Sequence, residues 1–190
     1  LALALLLAVL WLAQQAVSAL WSLPREARRW RLQQKERAAH AALLEASSQF
    51  MAGRYLRARK AAELVLVREE ALRHSGEQPL PHALALRTMA HLVAAESAHA
   101  LQDKALREHH LTQARQQSAL ASGGQAQTLE EGLTLRAARW LLDDREAEAS
   151  LAQLDQLPGT GTRRMAAMRI ELKAARLAGR SEEHTSELQS

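Results

Sequence analysis

Residues 39–62 read AHAALLEASSQFMAGRYLRARKAA, and their pattern decides the fold. Through the first half of this stretch apolar residues recur three and four positions apart, which is the spacing of one face of an α-helix. Gly53 interrupts the pattern, and a second helical pattern containing Ala58 and Ala62 follows as far as Arg73. The stretch therefore predicts two helices joined by a tight turn at Gly53.

The rest of the chain repeats this arrangement. Helix-forming residues dominate it and aromatic residues make up only 3%, so we expect helices and no sheet. Tight turns within helix pairs are predicted near Gly53, Asp103, Asp144 and Gly179, at spacings of 50, 41 and 35 residues. The helices are expected over about 30–52, 54–73, 82–101, 104–121, 128–142, 145–157 and 162–178. Helical hairpins at such spacings build solenoids, so we predict an all-α fold.

The turn at Gly53 also indicates which solenoid this is. Gly53-x-Tyr55-x-x-Ala58 looks like the turn of a tetratricopeptide repeat (TPR), in which the aromatic residue and the alanine pack the second helix on the first. Ala46 suits a close crossing of the two helices. The later pairs match this pattern weakly. We therefore predict degenerate, TPR-like repeats over 38–179.

The first 23 residues carry no charged side chain. At about 1.5 Å per residue a helix over 1–23 reaches about 34 Å, enough to cross a hydrocarbon core of about 30 Å. Trp11 and Trp21 suit interfacial positions, and a basic segment, 24–37, follows directly. Because such a cluster resists translocation, we expect a transmembrane helix with its C-terminal end in the cytoplasm. The basic residues of this juxtamembrane segment are Arg25, Arg28, Arg29, Arg31, Lys35 and Arg37.

Other interpretations of this end of the chain stay open. Val17-Ser18-Ala19 could serve as the cleavage site of a secretory signal peptide. Gln14 and Gln15 would be polar groups within a span, and such groups suggest a helix partner in the membrane. The basic segment either fixes topology alone or also contacts anionic lipid or a partner.

Composition excludes some functions. The juxtamembrane segment alone carries a net charge of +4, as large as that of the whole chain, and the chain has one Phe, one Tyr and four Trp for stacking on bases. Membrane lipids are therefore expected partners and nucleic acid is not. The chain has no cysteine, which excludes disulfides, thiolate metal ligands and cysteine nucleophiles.

Both ends of the sequence need separate treatment. Residues 180–190, RSEEHTSELQS, resemble a translated sequencing-library adapter, so we expect the biological sequence to end near Gly179. The sequence opens inside an apolar run without an initiator Met, so we expect a fragment of a longer chain.

The order of these features resembles the HemY family of proteobacteria. The resemblance rests on the uncharged segment, on Leu23-Pro24-Arg25 and Arg28-Arg29-Trp30-Arg31, and on Ala41-Ala42-Leu43-Leu44-Glu45 leading into Gly53-Arg54-Tyr55. The resemblance implies two N-terminal spans in the bacterial inner membrane, of which 1–23 is the second, and cytoplasmic TPR repeats. It also implies a link to a late step of haem biosynthesis. It covers about 1–179 and includes no catalytic signature.

From this resemblance we expect a membrane-anchored adaptor. Its repeats would hold other proteins, among them enzymes of haem synthesis, in an extended groove. We expect neither an enzymatic activity nor a cofactor of its own.

The histidines support an alternative, a direct haem or porphyrin carrier. His91 and His99 stand eight residues apart on one predicted helix, on roughly the same face, and either could be an axial ligand. Histidine also serves simply as a polar residue on exposed helices, which is the interpretation we prefer. No zinc motif is present. Asp143 and Asp144 could be paired acids, but neighbours at a helix end point apart, so we expect a turn or cap.

Overall fold

The computed structural model describes Trp11, Gln14, Trp30, Arg31 and residues 33–74, 82–157 and 163–187. In the last range it describes the side chains of 167–179. These residues form helices and short turns and contain no strand, so the all-α prediction is confirmed. The helices are α1 (33–51), α2 (Tyr55–His74), α3 (Ala83–Ala100), α4 (Lys104–Leu120), α5 (Gly123–Asp143), α6 (Ala147–Leu154) and α7 (Arg163–Glu187).

The predicted transmembrane helix falls almost entirely outside the described residues. Within it only Trp11 and Gln14 are described, and both are helical. In the part of the chain that the structure describes, no helix combines the length and the apolar character needed to cross a bilayer. Trp21 and the first three arginines of the juxtamembrane segment also lie outside, whereas Arg31, Lys35 and Arg37 are described and exposed.

Three turns share one backbone geometry. Gly53, Gln102 and Arg145 have φ angles of 71°, 60° and 67°, in the left-handed region. In the first turn the N–H of Gly53 donates to the carbonyl of Phe50 at 2.9 Å. The next N–H, of Arg54, donates to the carbonyl five residues earlier, also at 2.9 Å. The other two turns repeat both hydrogen bonds, so each is a Schellman motif that satisfies the last carbonyls of the preceding helix.

These turns define three helical hairpins, α1–α2, α3–α4 and α5–α6. The left-handed residues are 49 positions apart (53 to 102) and 43 positions apart (102 to 145). We use them as a common reference, because a residue at a fixed offset from each of them occupies the same place in each hairpin.

The hairpins share buried positions as well. Seven residues before the left-handed residue stands a buried alanine in every case: Ala46, Ala95 and Ala138. Five residues after it stands a second buried residue, in turn Ala58, Arg107 and Ser150. In the third hairpin these two positions touch, because the Ser150 hydroxyl donates to the carbonyl of Ala138 at 2.7 Å. A small residue here lets the paired helices cross closely.

The core continues from one hairpin to the next. One apolar cluster joins α1, α2 and α3 around Val65 and Leu86, and another joins α3, α4 and α5 around Leu133 and Trp140. A third joins α5, α6 and α7 around Ala174. Helices pack mainly on their chain neighbours, and α3 also contacts α5, as α5 contacts α7. The three hairpins therefore pack on one another in chain order, as an array, and α7 packs on the last of them.

Two predicted boundaries are wrong. Helix α5 begins at Gly123 and not near residue 128. Gly123, its first residue, takes a φ of 67°. The Thr128 hydroxyl donates to the carbonyl of Gly124, four residues earlier in the same helix, at 2.8 Å. Residues 125–127 are helix formers, so the helix extends back to the glycine pair. Gly179 lies inside α7 and makes no turn. One glycine costs a helix only about 1 kcal/mol relative to alanine, and no proline follows it within α7.

Candidate binding face and the buried polar cluster beneath it

The first helices of the three hairpins present matching apolar residues. Ten residues before each left-handed residue stands a half-buried leucine: Leu43, Leu92 and Leu135. Leu43 and Leu92 seal the cores below them. We call the surface around these leucines the first-helix face. Its exposed residues are His40, Met51, Met89, Ala100, Arg139 and Asp143.

The two methionines make part of this face apolar. Met51 is 88% exposed and Met89 is 40% exposed. Methionine is unbranched and polarisable, so it adapts to differently shaped partners and is common on promiscuous binding surfaces. The first-helix face is therefore chemically suited to bind protein segments.

A buried arginine lies under this face. Arg107 occupies the position that Ala58 and Ser150 occupy in the other hairpins, and it is 4% exposed. Its guanidinium reaches the next hairpin, where Nη1 donates to Asp144 Oδ2 at 2.9 Å. Lys104 Nζ lies 3.1 Å from the same oxygen. The second hairpin therefore replaces a small packing residue with an ionic contact to the third.

A hydrogen bond from Arg107 also selects one tautomer of a histidine. Arg107 Nη1 donates to His99 Nδ1 at 3.0 Å, so that nitrogen must carry a lone pair. The proton of the neutral ring then sits on Nε2, which lies 3.4 Å from Asp143 Oδ2. Both ring nitrogens of His99 are engaged.

Trp140 packs against this cluster. The His99 ring stacks on it with centroids 5.8 Å apart, and the Arg107 guanidinium lies 5.8 Å from its centroid. The indole Nε1 donates to Glu96 Oε2 at 3.1 Å, and the other oxygen of Glu96 lies 2.6 Å from Arg136 Nη1. These contacts join α3, α4 and α5 through polar groups at the edge of their apolar core.

Electrostatics keep the acid of this cluster ionised. Burial alone would raise the pKa of Asp144, but hydrogen bonds from Arg107 and Lys104 outweigh it and lower the pKa below its ordinary value. The carboxylate and the guanidinium therefore stay charged at neutral pH and hold each other in place.

A second polar cluster consists of histidines. His91 Nδ1 and His110 Nδ1 lie 3.1 Å apart, and the His109 ring meets the His110 ring edge-on with centroids 5.3 Å apart. Burial, together with the charges of neighbouring histidines and arginines, lowers the pKa of His91 and of His110 to about 4. Both rings are therefore neutral at about pH 7, with one Nδ1 donating and the other accepting.

The structure separates the two histidines considered as haem ligands. His91 faces His110, whereas His99 lies against Trp140 and Arg107. Axial ligation by His99 would require breaking a hydrogen bond at whichever nitrogen is used. Within the described residues no three or more His, Asp or Glu side chains are grouped so as to hold a metal ion.

The structure also locates the residues predicted to pack the repeat. Ala46 and Ala58 are fully buried, and Gly53 is the left-handed residue of the first turn. Tyr55 packs on Phe50 with ring centroids 5.6 Å apart. The four predicted residues all belong to the α1–α2 hairpin, at its turn and at the buried positions that flank it.

Sequence reasoning missed the ionic contact between hairpins. Asp143 ends α5 and Asp144 is its C-cap, but both also reach partners on other helices. Arg107 and Asp144 are 37 residues apart, so no local spacing announces the pair. Aligning the three turns provides one signal of this contact. The second hairpin has an arginine at the position where the other two hairpins have alanine and serine.

Comparison with known proteins agrees with the resemblance. The sequence profile of the family described as "HemY protein N-terminus" matches residues 1–102, just over half of the 190 residues. No curated protein and no solved structure matches the chain. The family supports an association with haem biosynthesis and with a membrane. The chain belongs to the HemY family.

Proposed function

We propose that this chain is a membrane-anchored scaffold whose TPR-like hairpins bind partner proteins on the first-helix face. The observation that carries the proposal is the alignment of Leu43, Leu92 and Leu135 across three hairpins, with Met51 and Met89 exposed beside them. An array of this kind offers an extended surface rather than a closed pocket. Such a surface suits protein segments better than a small substrate.

The proposed partners are enzymes of a late step in haem biosynthesis, and the proposed location is the cytoplasmic side of the bacterial inner membrane. Family membership supports the haem link. The exposed Arg31, Lys35 and Arg37 support the location, because basic residues beside a span favour the cytoplasmic side. In this proposal the chain brings enzymes together and has no catalytic role.

Capture of tetrapyrrole-pathway enzymes by the intact, membrane-inserted protein tests the proposal. We expect these enzymes to be enriched, and we expect Met89→Glu to reduce their enrichment by about tenfold, because a charge would have to be desolvated within the contact. Leu120→Glu is the matched control, since Leu120 is 67% exposed at the end of α4, away from the first-helix face.

Two outcomes contradict the scaffold. One is enrichment no greater than that of an unrelated membrane-anchored helical repeat protein. The other is equal loss in Met89→Glu and Leu120→Glu. Titration of the same protein with haemin tests the porphyrin-carrier alternative, in which a shifted Soret band that disappears in His91→Ala or His99→Ala would indicate direct ligation.

A further inference from the structure

An open groove lies at the edge of the array where the α1–α2 turn meets the end of α3. Its volume is ≈ 540 Å³. Its apolar residues are accessible: Leu56 is 49% exposed, Leu101 is 42% exposed, and Met51 close by in the chain is also exposed. The groove is lined by Gly53, Arg54, Tyr55, Leu56, Arg57 and Leu101.

The residues of this groove are not required by the turn. The same backbone turn forms in the other hairpins, where the position of Arg54 holds Asp103 and Glu146. The position of Leu56 likewise holds Ala105 and Glu148. The combination of exposed leucine and arginine is therefore specific to the first hairpin and has no role in shaping the turn.

Three cations beside the groove are available to a ligand. Arg54, Arg57 and Lys60 are exposed, and none of them forms an ion pair or a side-chain hydrogen bond with any residue that the structure describes. Other cations of α2 are paired: Arg59 with Glu63, Arg68 with the carbonyl of Ala38, and Arg73 with Glu70. The unpaired charges are therefore concentrated at the end of α2 that borders the groove.

The shape and place of the groove favour a protein segment over a lipid surface. A concave site accepts a protruding side chain, whereas a surface that enters a bilayer presents its apolar residues outward. The groove also lies at the end of α1 remote from residue 33, about 27 Å along the helix at 1.5 Å per residue. The predicted span precedes residue 33 in the chain, so it is connected to the opposite end of α1.

We infer that this groove docks an acidic, amphipathic segment of a partner protein. An apolar side chain of the segment would lie on Tyr55, Leu56 and Leu101, and its carboxylates would accept hydrogen bonds from Arg54 and Arg57. Arginine suits this role because its planar fork matches a carboxylate. The inference rests on the proposed scaffold function and deepens it by naming the chemistry of one partner segment.

Binding of a synthetic peptide tests the inference. The probe is a fluorescein-labelled peptide of repeated Glu-Glu-Leu-Leu, titrated by anisotropy against the full chain in nanodiscs of zwitterionic lipid. We expect binding that weakens at least about tenfold in the Arg54→Glu/Arg57→Glu variant, because two attractions become repulsions. Leu56→Ser should also weaken it. Arg169→Glu/Arg176→Glu makes the same charge change at two exposed sites on α7 and should leave binding unchanged.

Other results would overturn the inference. A peptide with Lys in place of Glu that binds equally well would remove the role of charge, and unchanged binding in Arg54→Glu/Arg57→Glu would remove the groove. Circular dichroism of each variant shows whether it is folded, and Leu56→Ser provides a readout that changes no charge.

A membrane docking surface is tested in the same system. The chain has no cysteine, so Ala52→Cys takes a single environment-sensitive dye beside the groove. A blue shift of that dye when anionic lipid is added to the nanodiscs, without peptide, would assign the groove to the membrane and overturn the inference. If capture of the enzymes depends on Met89 but not on Arg54 and Arg57, the groove inference is wrong and the scaffold proposal is still supported.

Discussion

Arg107 and Asp144 are joined by an Nη1–Oδ2 contact of 2.9 Å, and their side chains are only 5% and 8% exposed. The pair links the second helix of the middle hairpin to the turn of the next one. It is the most buried ion pair among the described residues. Because its two residues are fixed by different hairpins, it couples the folding of one hairpin to that of the next.

Removing one partner of this pair should destabilise the protein. Arg107→Ala leaves the buried Asp144 with Lys104 alone, and we expect a loss of about 2–4 kcal/mol in the free energy of unfolding. Urea unfolding followed by circular dichroism measures it. Arg139→Ala, on the exposed surface of α5, should change stability by less than about 0.5 kcal/mol. An equally small effect of Arg107→Ala would show that the pair contributes nothing.

Two glycine substitutions should have opposite effects. Gly53→Ala places a side chain at a φ of 71° and should destabilise by about 1 kcal/mol, although no atom lies within 4 Å of the new Cβ. Gly132→Ala adds the same group inside α5, again with nothing within 4 Å, and should stabilise by about 1 kcal/mol. Thermal unfolding of the two variants compares them. Effects of the same sign would contradict the assigned turn geometry.

The helix crossing in the first hairpin should reject a larger residue. Ala46 is fully buried and packs with Ala62 and Ala94, so Ala46→Leu should cost about 1–3 kcal/mol by overpacking. Ala41→Leu is the control, because Ala41 is exposed on the same helix. Denaturant unfolding should separate the two variants, and similar midpoints would mean that the crossing is loosely packed.

The histidine cluster should make stability depend on pH. The pKa of His91 and of His110 is about 4 in the folded protein, below the ordinary 6.5. Between these values the unfolded chain binds more protons, so the free energy of unfolding falls as pH drops from about 6.5 towards about 4. Asp144, whose pKa is lowered, adds a further loss as pH falls below its ordinary value.

A substitution isolates the histidine contribution. His110→Phe keeps a ring in the cluster but cannot be protonated, so the loss of stability between about pH 7 and about pH 5 should be smaller than in the parent protein. Urea midpoints at the two pH values provide the measurement. His74→Phe is the control, because His74 is exposed at the end of α2. An unchanged pH dependence in His110→Phe would place the titrating groups elsewhere.

The helices could be predicted because helix formation depends on residues that are close together in the sequence. Apolar spacing and helix-forming residues indicated α1 to α4, and Gly53 marked its turn because glycine tolerates a positive φ. The other turns are less visible, since Gln102 and Arg145 take the same conformation without glycine. Glycine also misled the prediction at Gly179, where the helix continues.

Contacts between distant residues could not be predicted in this way. The pairing of His91 with His110 and of Arg107 with Asp144 depends on how α3, α4 and α5 pack, and no sequence spacing records it. The groove at Arg54 was missed for a related reason. Its distinction appears only when the three turns are aligned by their left-handed residues, which requires the backbone.

The unequal lengths of the hairpin repeats have a further consequence. Eight residues separate α2 from α3 and two separate α4 from α5, a difference of six. The left-handed residues, 49 and 43 positions apart, also differ in spacing by six. Insertions and deletions in such a chain can accumulate between hairpins without disturbing the turn inside one. The hairpin is therefore the unit by which a protein of this kind can be lengthened, shortened or recombined.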